Sequence, residues 1–166
     1  HSTLAIANAI CQDIVARRAT NREFVNRHVA FKRARLDRAA VTPDGVLAAE
    51  NETDADWNGL ASFLSDYTPE WAQRVSGLGA ADIRWLASLY SDPARHVVSL
   101  WGDAVNGQHN GPWVNNALHN IHLLVGKVAS PGNAALPVST QPGGTALLDD
   151  VMGHRPSSDA AIRTRL

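Results

Sequence analysis

The residues best suited to chemistry lie between His96 and Lys127. Asn115, Asn116, His119, Asn120 and His122 recur through residues 112–125. Asn116, His119 and Asn120 stand at i, i+3 and i+4, which is one face of a helix. Such a face reads a ligand by hydrogen bonds or pairs with neighbouring backbone. His119 and His122 lack a third ligand of suitable type nearby, so their spacing argues against a metal site. Ahead of this helix runs Gly102-Asp103-Ala104-Val105-Asn106-Gly107-Gln108-His109-Asn110-Gly111, and ahead of that the apolar run His96–Trp101. A strand, a Gly/Asn-rich loop and a helix N-terminus form the arrangement that cradles phosphates or dinucleotides in α/β proteins. The chain has no GxGxxG, no Walker A motif and no Gly-x-Ser-x-Gly elbow. Its scattered serines and histidines suggest no nucleophile–base pair.

The elements that must position these residues are mostly helical. Residues 4–18 predict an amphipathic helix with Ile6, Ile10 and Ile14 at i, i+4 and i+8, and with Arg17 and Arg18 where the C-terminal dipole favours cations. Cys11 falls inside it as a small buried apolar side chain. Asn21 caps a second helix over 21–28, with Glu23 in its first turn. Lys32 to Arg38 reads as a solvated basic segment, and Thr42-Pro43-Asp44-Gly45 as a turn within a loop. Residues 55–66 predict a helix with Trp57, Leu60, Phe63 and Leu64 on one face. Thr68 and Pro69 open another, which Gly77-Leu78-Gly79 ends. Ile83, Leu86, Leu89 and Tyr90 stripe a helix over 80–91 that Ser91-Asp92-Pro93 stops. His96–Trp101 predicts a strand buried on both faces. Pro112 starts the helix over 112–125, striped by Val114, Leu118, Ile121 and Val125; Gly126 caps it and Lys127 complements its dipole. Residues 129–166, rich in Pro, Gly, Ser and Ala, predict a loop-dominated tail that packs against other protein.

The chain is expected to be one segment: helices over 1–38, a loop over 39–54, a helix–helix–strand–helix unit over 55–128 and an extended tail over 129–166. Composition narrows its class. Fifteen Lys+Arg against 16 Asp+Glu give a net charge of −1, which carries no basic field for nucleic acid. Hydrophobic residues at 45% and charged residues at 19% are those of a globular chain. No run is long and apolar enough to span a bilayer. One cysteine excludes an internal disulfide or a cluster held by several thiolates. His1-Ser2-Thr3-Leu4 leads directly into a helical pattern with no signal peptide in view, so a piece of something longer is expected.

An ordered set of motifs carries a resemblance. Ser99-Leu100-Trp101, Val105-Asn106, Gly111 to Asn116, Asn120 to Val128, Pro131-Gly132-Asn133 and Gln141-Pro142 follow one another as SLW, VNQHTRG, W-NN, N-HLL-GK, PGN and GQP do in a known family. Leu4-Ala5-Ile6, Glu23-Phe24-Val25-Asn26 with His28, Phe31-Lys32, and Leu86-Ala87 with Leu89-Tyr90 and Asp92-Pro93 match upstream. The chain resembles the molybdopterin oxidoreductases, most closely the catalytic subunit of their periplasmic nitrate reductase branch. The resemblance implies a helix-rich α/β fold, a Rossmann-like segment of a cofactor domain. It implies reduction of nitrate to nitrite at a molybdenum held by two pyranopterin guanine dinucleotides. A [4Fe–4S] cluster in the upstream part of the full-length subunit would deliver the electrons. The partners it implies are nitrate or another small oxyanion, the remainder of the catalytic subunit and a di-haem c-type cytochrome subunit, in the periplasm. Alternative outcomes within the resemblance are arsenite or formate as substrate, or a degenerate structural module without catalysis.

Residue by residue, the resemblance places His1, Ser2 and Thr3 at a guanine-reading triplet, with Thr3 where the family has Asp. Asp103 stands where it has a cofactor-contacting Met, Gly107 where it has Gln and Asn110 where it has Arg. A one-residue slip aligns Gln108 and His109 with the family's Gln and His instead, so Gln108 is an alternative contact. No catalytic residue or metal ligand is implied within the chain, and Cys11 matches neither the molybdenum ligand nor a cluster ligand.

Overall fold

The computed structural model describes residues 2–33, 39–41, 47–49, 53–107, 111–128 and 130–138. Along the chain run α1 (Ser2–Ala16), α2 (Arg22–His28), β1 (Lys32–Arg33), β2 (Ala39–Val41), β3 (Leu47–Ala49), β4 (Thr53–Asp54), α3 (Trp57–Leu64), α4 (Pro69–Ser76), α5 (Ala80–Ser91), β5 (Val98–Trp101), α6 (Asp103–Asn106), α7 (Gly111–Val125) and β6 (Ala134–Pro137). The protein is a helix-rich α/β chain. Among the described residues no helix is long and apolar enough to cross a membrane.

The core forms around α1, which packs against α3, α4, α5 and α7. Enclosure on several sides explains why its burial is wider than a simple amphipathic stripe. Ala7 and Ala9 admit close helix approach, while Ile10 and Ile14 fill the space against Ile83, Ala87 and Ile121. The helix stops at Ala16 because Arg18 turns left-handed, at φ 57°. Arg17 and Arg18 therefore lie beyond the last turn and not within it. Arg17 reaches back to the buried Asp13 carboxylate, Nε to Oδ2 at 2.6 Å, and Arg84 approaches Asp13 from α5 at 3.9 Å. A buried carboxylate needs such partners to offset its lost hydration.

Local chemistry sets most helix ends as expected. Asn21 Oδ1 accepts the Phe24 N–H at 3.0 Å, and Thr68 Oγ1 accepts the Trp71 N–H at 3.2 Å, with Pro69 at the first helical position. Gly77 closes α4 at φ 79°. In α3, Leu64 is buried and Trp57 and Leu60 lean on the core. Phe63 departs from the expected stripe: it is exposed and rests against Tyr67, ring centroids 5.2 Å apart.

The expected loop over 39–54 contains paired strands. β1 pairs with β4 and β2 with β3, both antiparallel, with Val41 opposite Leu47. Ladder pairing satisfies backbone groups that a bare loop leaves to water. The turn tetrapeptide at 42–45 lies outside the described residues, as do residues 34–38.

The third sheet corrects two further expectations. β6 pairs in parallel with β5, Val98 opposite Ala134 and Trp101 opposite Pro137. Part of the expected loop-dominated tail is thus a strand, paired within its own chain. β5 is also not buried on both faces. Trp101 is buried and Ser99 half-buried toward α7, whereas Val98 and Leu100 stand 50% and 64% exposed on the other side. Among the described residues helices cover only one side of the sheet, so alternation along the strand becomes alternation in exposure.

Candidate functional site

The β5–α7–β6 unit carries the candidate residues. As β5 runs from Ser99 to Trp101, its contacts on α7 move from His122 back to Asn115. The helix therefore returns antiparallel to the strand, as a crossover between parallel strands requires. Cys11 of α1 meets the Ala117 carbonyl, and Asn21 just beyond α1 bonds the Leu124 carbonyl. These contacts advance in the same sense, so α1 runs parallel to α7. The N-terminal ends of α1 and α7 and the C-terminal ends of β5 and β6 accordingly fall at one end of the unit. Ligands of open α/β sheets gather at such an end, beside helix N-termini.

The site residues drawn from the sequence divide as follows. Ser2 begins α1 and is exposed; Thr3 follows half-buried. Asp103 begins α6, exposed, and the Gly107 N–H donates to the Asp103 carbonyl at 2.7 Å. The fold brings Asp103 and Gly107 together and sets Ser2 and Thr3 toward the same end. His1, Gln108, His109 and Asn110 lie outside the described residues. Within the first turn of α1, α6 and the first two turns of α7, Asp103 carries the only charge.

The polar face of α7 separates into two parts. Asn116, His119 and Asn120 are exposed and available to a ligand. Asn115 and His122 are tied inward. Trp101 Nε1 donates to Asn115 Oδ1, and Asn115 Nδ2 donates to the Gly111 carbonyl at 3.1 Å. The His119 ring meets the Trp101 ring edge-on at 5.3 Å.

His122 is only 1% exposed and belongs to a directed hydrogen-bond chain. The Lys127 carbonyl can only accept, so His122 Nδ1 carries the proton that bridges the 3.0 Å between them. Nε2 of the neutral ring then accepts from Ser99 Oγ at 2.8 Å, and Ser99 accepts from Tyr90 Oη at 2.6 Å. Burial, foremost, holds the His122 pKa below its ordinary value; the Lys127 carbonyl opposes this, and the charges of His119 and Lys127 add to it. Ser99 and His122 have the spacing of a nucleophile and its base. Both imidazole nitrogens are nevertheless used within the fold, so the pair ties β5 to α5 and α7. The same use removes His122 as a metal ligand. Among the described residues no group of three or more His, Cys, Asp or Glu is placed to hold a metal.

Lys127 also departs from its expected role. Its ammonium donates to the Asp92 carbonyl at the end of α5, 2.7 Å away, so it serves the C-terminus of α5 and not that of α7. Desolvation lowers its pKa, which the nearby Asp92 carboxylate partly offsets. Cys11 is buried, and burial pushes its thiol up to about 12. It is an inert core residue, as expected.

Sequence reasoning missed the Tyr90–Ser99–His122 chain. The available signal was the period of two in β5, which puts Ser99 on the same side as Trp101. A separate open groove of about 610 Å³ lies between α2 and the start of α3, lined by Val25, Val29, Phe31 and Trp57, and shares none of the candidate residues. No protein-family model matches the chain.

Proposed function

We propose that the chain is a Rossmann-like segment of the cofactor domain of a molybdenum-dependent oxidoreductase, similar to the catalytic subunit of periplasmic nitrate reductases. One observation supports this above the motif order: the N-termini of α1 and α7 and the C-termini of β5 and β6 lie toward the same end, with Ser2, Thr3, Asp103 and Gly107 on that side. The donor chemistry there fits the nucleotide ends of a molybdopterin guanine dinucleotide. Free backbone N–H groups in the first turn of a helix, the Ser2 and Thr3 hydroxyls and the Asn116 amide suit phosphate oxygens and a guanine edge. The Asp103 carboxylate is the one departure, an anion beside an anionic ligand.

When bound, the molybdenum centre supplies the two-electron reduction of nitrate to nitrite. This chain's part is to hold the dinucleotide. The Trp101–Asn115 bond fixes the end of β5 against α7, and the Tyr90–Ser99–His122 chain fixes its middle. Cys11, buried and protonated, offers no thiolate to the metal.

The test is expression of the open reading frame containing this chain in cells that make the molybdenum cofactor. Stoichiometric molybdenum and viologen-linked nitrate reduction are expected, and a molybdenum-free product would overturn the reading. In the chain alone, GDP is expected to shift the amide signals of Thr3 and Gly107, and to do so at lower concentration after Asp103→Met. Asp103 also favours a second reading, a degenerate module that keeps the fold without the cofactor. Cooperative melting with no response to GDP in either form would favour that one.

A further inference from the structure

The outward stripe of α7 carries a combination of groups that the fold does not use. Trp113 is 41% exposed, and Asn116 and Asn120 follow it at i+3 and i+7, both exposed. Among the described residues their side chains meet no hydrogen-bond or ring partner, whereas Asn115 and His122 on the same helix are tied inward. Residues i and i+3 are neighbours on a helix surface, and side chains lean toward the helix N-terminus. The Asn116 amide therefore leans over the turn that bears the Trp113 indole. No charged residue lies in the first two turns of α7. Trp85, 60% exposed on α5, gives the contrast. It stands three residues from the Asp82 carboxylate and three from Ser88, whose hydroxyl donates to the Trp85 carbonyl.

We propose that this stripe is a platform for a purine base: the base stacks on the Trp113 indole, and the Asn116 carboxamide reads its edge. Stacking on an aromatic face suits a planar heterocycle. A carboxamide presents an acceptor and a donor in one plane, which matches the adjacent donor and acceptor on the edge of guanine or adenine. An uncharged face suits an uncharged base, and the base is the part of a nucleotide that the Asp103 carboxylate does not repel. The stripe begins in the first turn of α7, where backbone N–H groups lack helical partners. A base on Trp113 and phosphates at the helix start are within the reach of one nucleotide. This assignment rests on the dinucleotide reading proposed for the chain and adds where the base lies.

Titration of the full chain with GDP, ADP and pyrophosphate, followed by magnetic resonance at the Trp113 indole N–H, tests it. The signal is assigned by its loss in Trp113→Phe. GDP and ADP are expected to shift it, and pyrophosphate to leave it in place. Trp113→Ala should weaken GDP at least about tenfold and Trp113→Phe less than about threefold, because the second keeps a ring to stack on. Asn116→Ala, at an exposed position, should weaken GDP about fivefold. A shift with pyrophosphate as large as with GDP would overturn the proposal in favour of an anion site. Unchanged GDP affinity in Trp113→Ala, or no shift with any of the three, would overturn it as well. Where Trp113→Ala no longer melts cooperatively, Asn116→Ala decides, and unchanged affinity there overturns the proposal. The molybdenum content of the product of the whole reading frame decides the dinucleotide reading separately, so failure of the platform is distinguishable from failure of that reading.

Discussion

The helical body around α1 and the β5–β6 sheet use polar residues in opposite ways. In the body, small and branched apolar residues meet on all sides of α1. Its one buried carboxylate, Asp13, is held by Arg17 and Arg84. In the sheet, the protected face carries the hydrogen-bonding residues Ser99 and Trp101, while the open face carries Val98 and Leu100. A half-covered sheet ordinarily shows the reverse. The difference teaches that the body is complete as packing, whereas the sheet's inner face is organised to hold position and its outer face stands open among the described residues.

The largest expected effect lies in the body. Ile14 and Ile121 are fully buried where α1 and α7 meet. Ile14→Ala or Ile121→Ala should cost about 2–5 kcal/mol, because the enclosing helices cannot all collapse onto the cavity. Urea unfolding checks this; a loss below about 1 kcal/mol would show a looser body than this packing implies. In the sheet the comparable change is polar. Ser99→Ala removes one oxygen and leaves Tyr90 Oη and His122 Nε2 without their partner. It should cost about 1–3 kcal/mol, the desolvation of groups left unpaired and not the value of one hydrogen bond. Tyr90→Phe with Ser99→Ala should then cost less than the sum of the two single changes. At the edge of the body, Thr68→Ala removes the cap of α4 and should cost about 1 kcal/mol by the same measurement.

What the sequence made legible follows the same division. Asn21, Thr68, Pro69 and Gly77 act within a few residues of themselves, so their roles were readable. The exposed Asn116, His119 and Asn120 face was readable too, since it needs only the helical period. β6 was not, because Ala134–Pro137 is short, contains proline and is a strand only by pairing with a partner some 36 residues back, as the Val98–Ala134 register shows. The inward role of His122 was hidden for a related reason. Its partners Ser99 and Tyr90 reach it only once the crossover has brought β5 beside α7 and α5. That Thr3 and Asp103 lie toward the same end depends on α1 running parallel to α7, a tertiary fact.

The smallest effect separates the two regions by pH. His122 is buried neutral, its pKa held below 6.5 chiefly by desolvation. The Lys127 carbonyl opposes this, the Lys127 ammonium and His119 add to it, and the Tyr90 ring lies edge-on at 5.4 Å between centroids. Unfolding returns the ring to its ordinary value near 6.5, so below that pH the unfolded chain binds the extra proton first. The stability this group contributes is full above 6.5 and falls as the pH drops through 6.5 toward the folded value. A protonated Nε2 can no longer accept from Ser99, so the loss should register first in β5. Glu70 and Asp92, whose pKa values are lowered by Arg84 and by the Ala94 N–H respectively, act only at more acidic pH, below their ordinary 4.5 and 3.8. Amide exchange followed from pH 7 downward should therefore show Ser99 and Leu100 losing protection before Ile14 and Ile83. His122→Gln should flatten that early loss without changing the body. Simultaneous loss across both regions would mean that sheet and body unfold as one unit, and would erase the contrast between them.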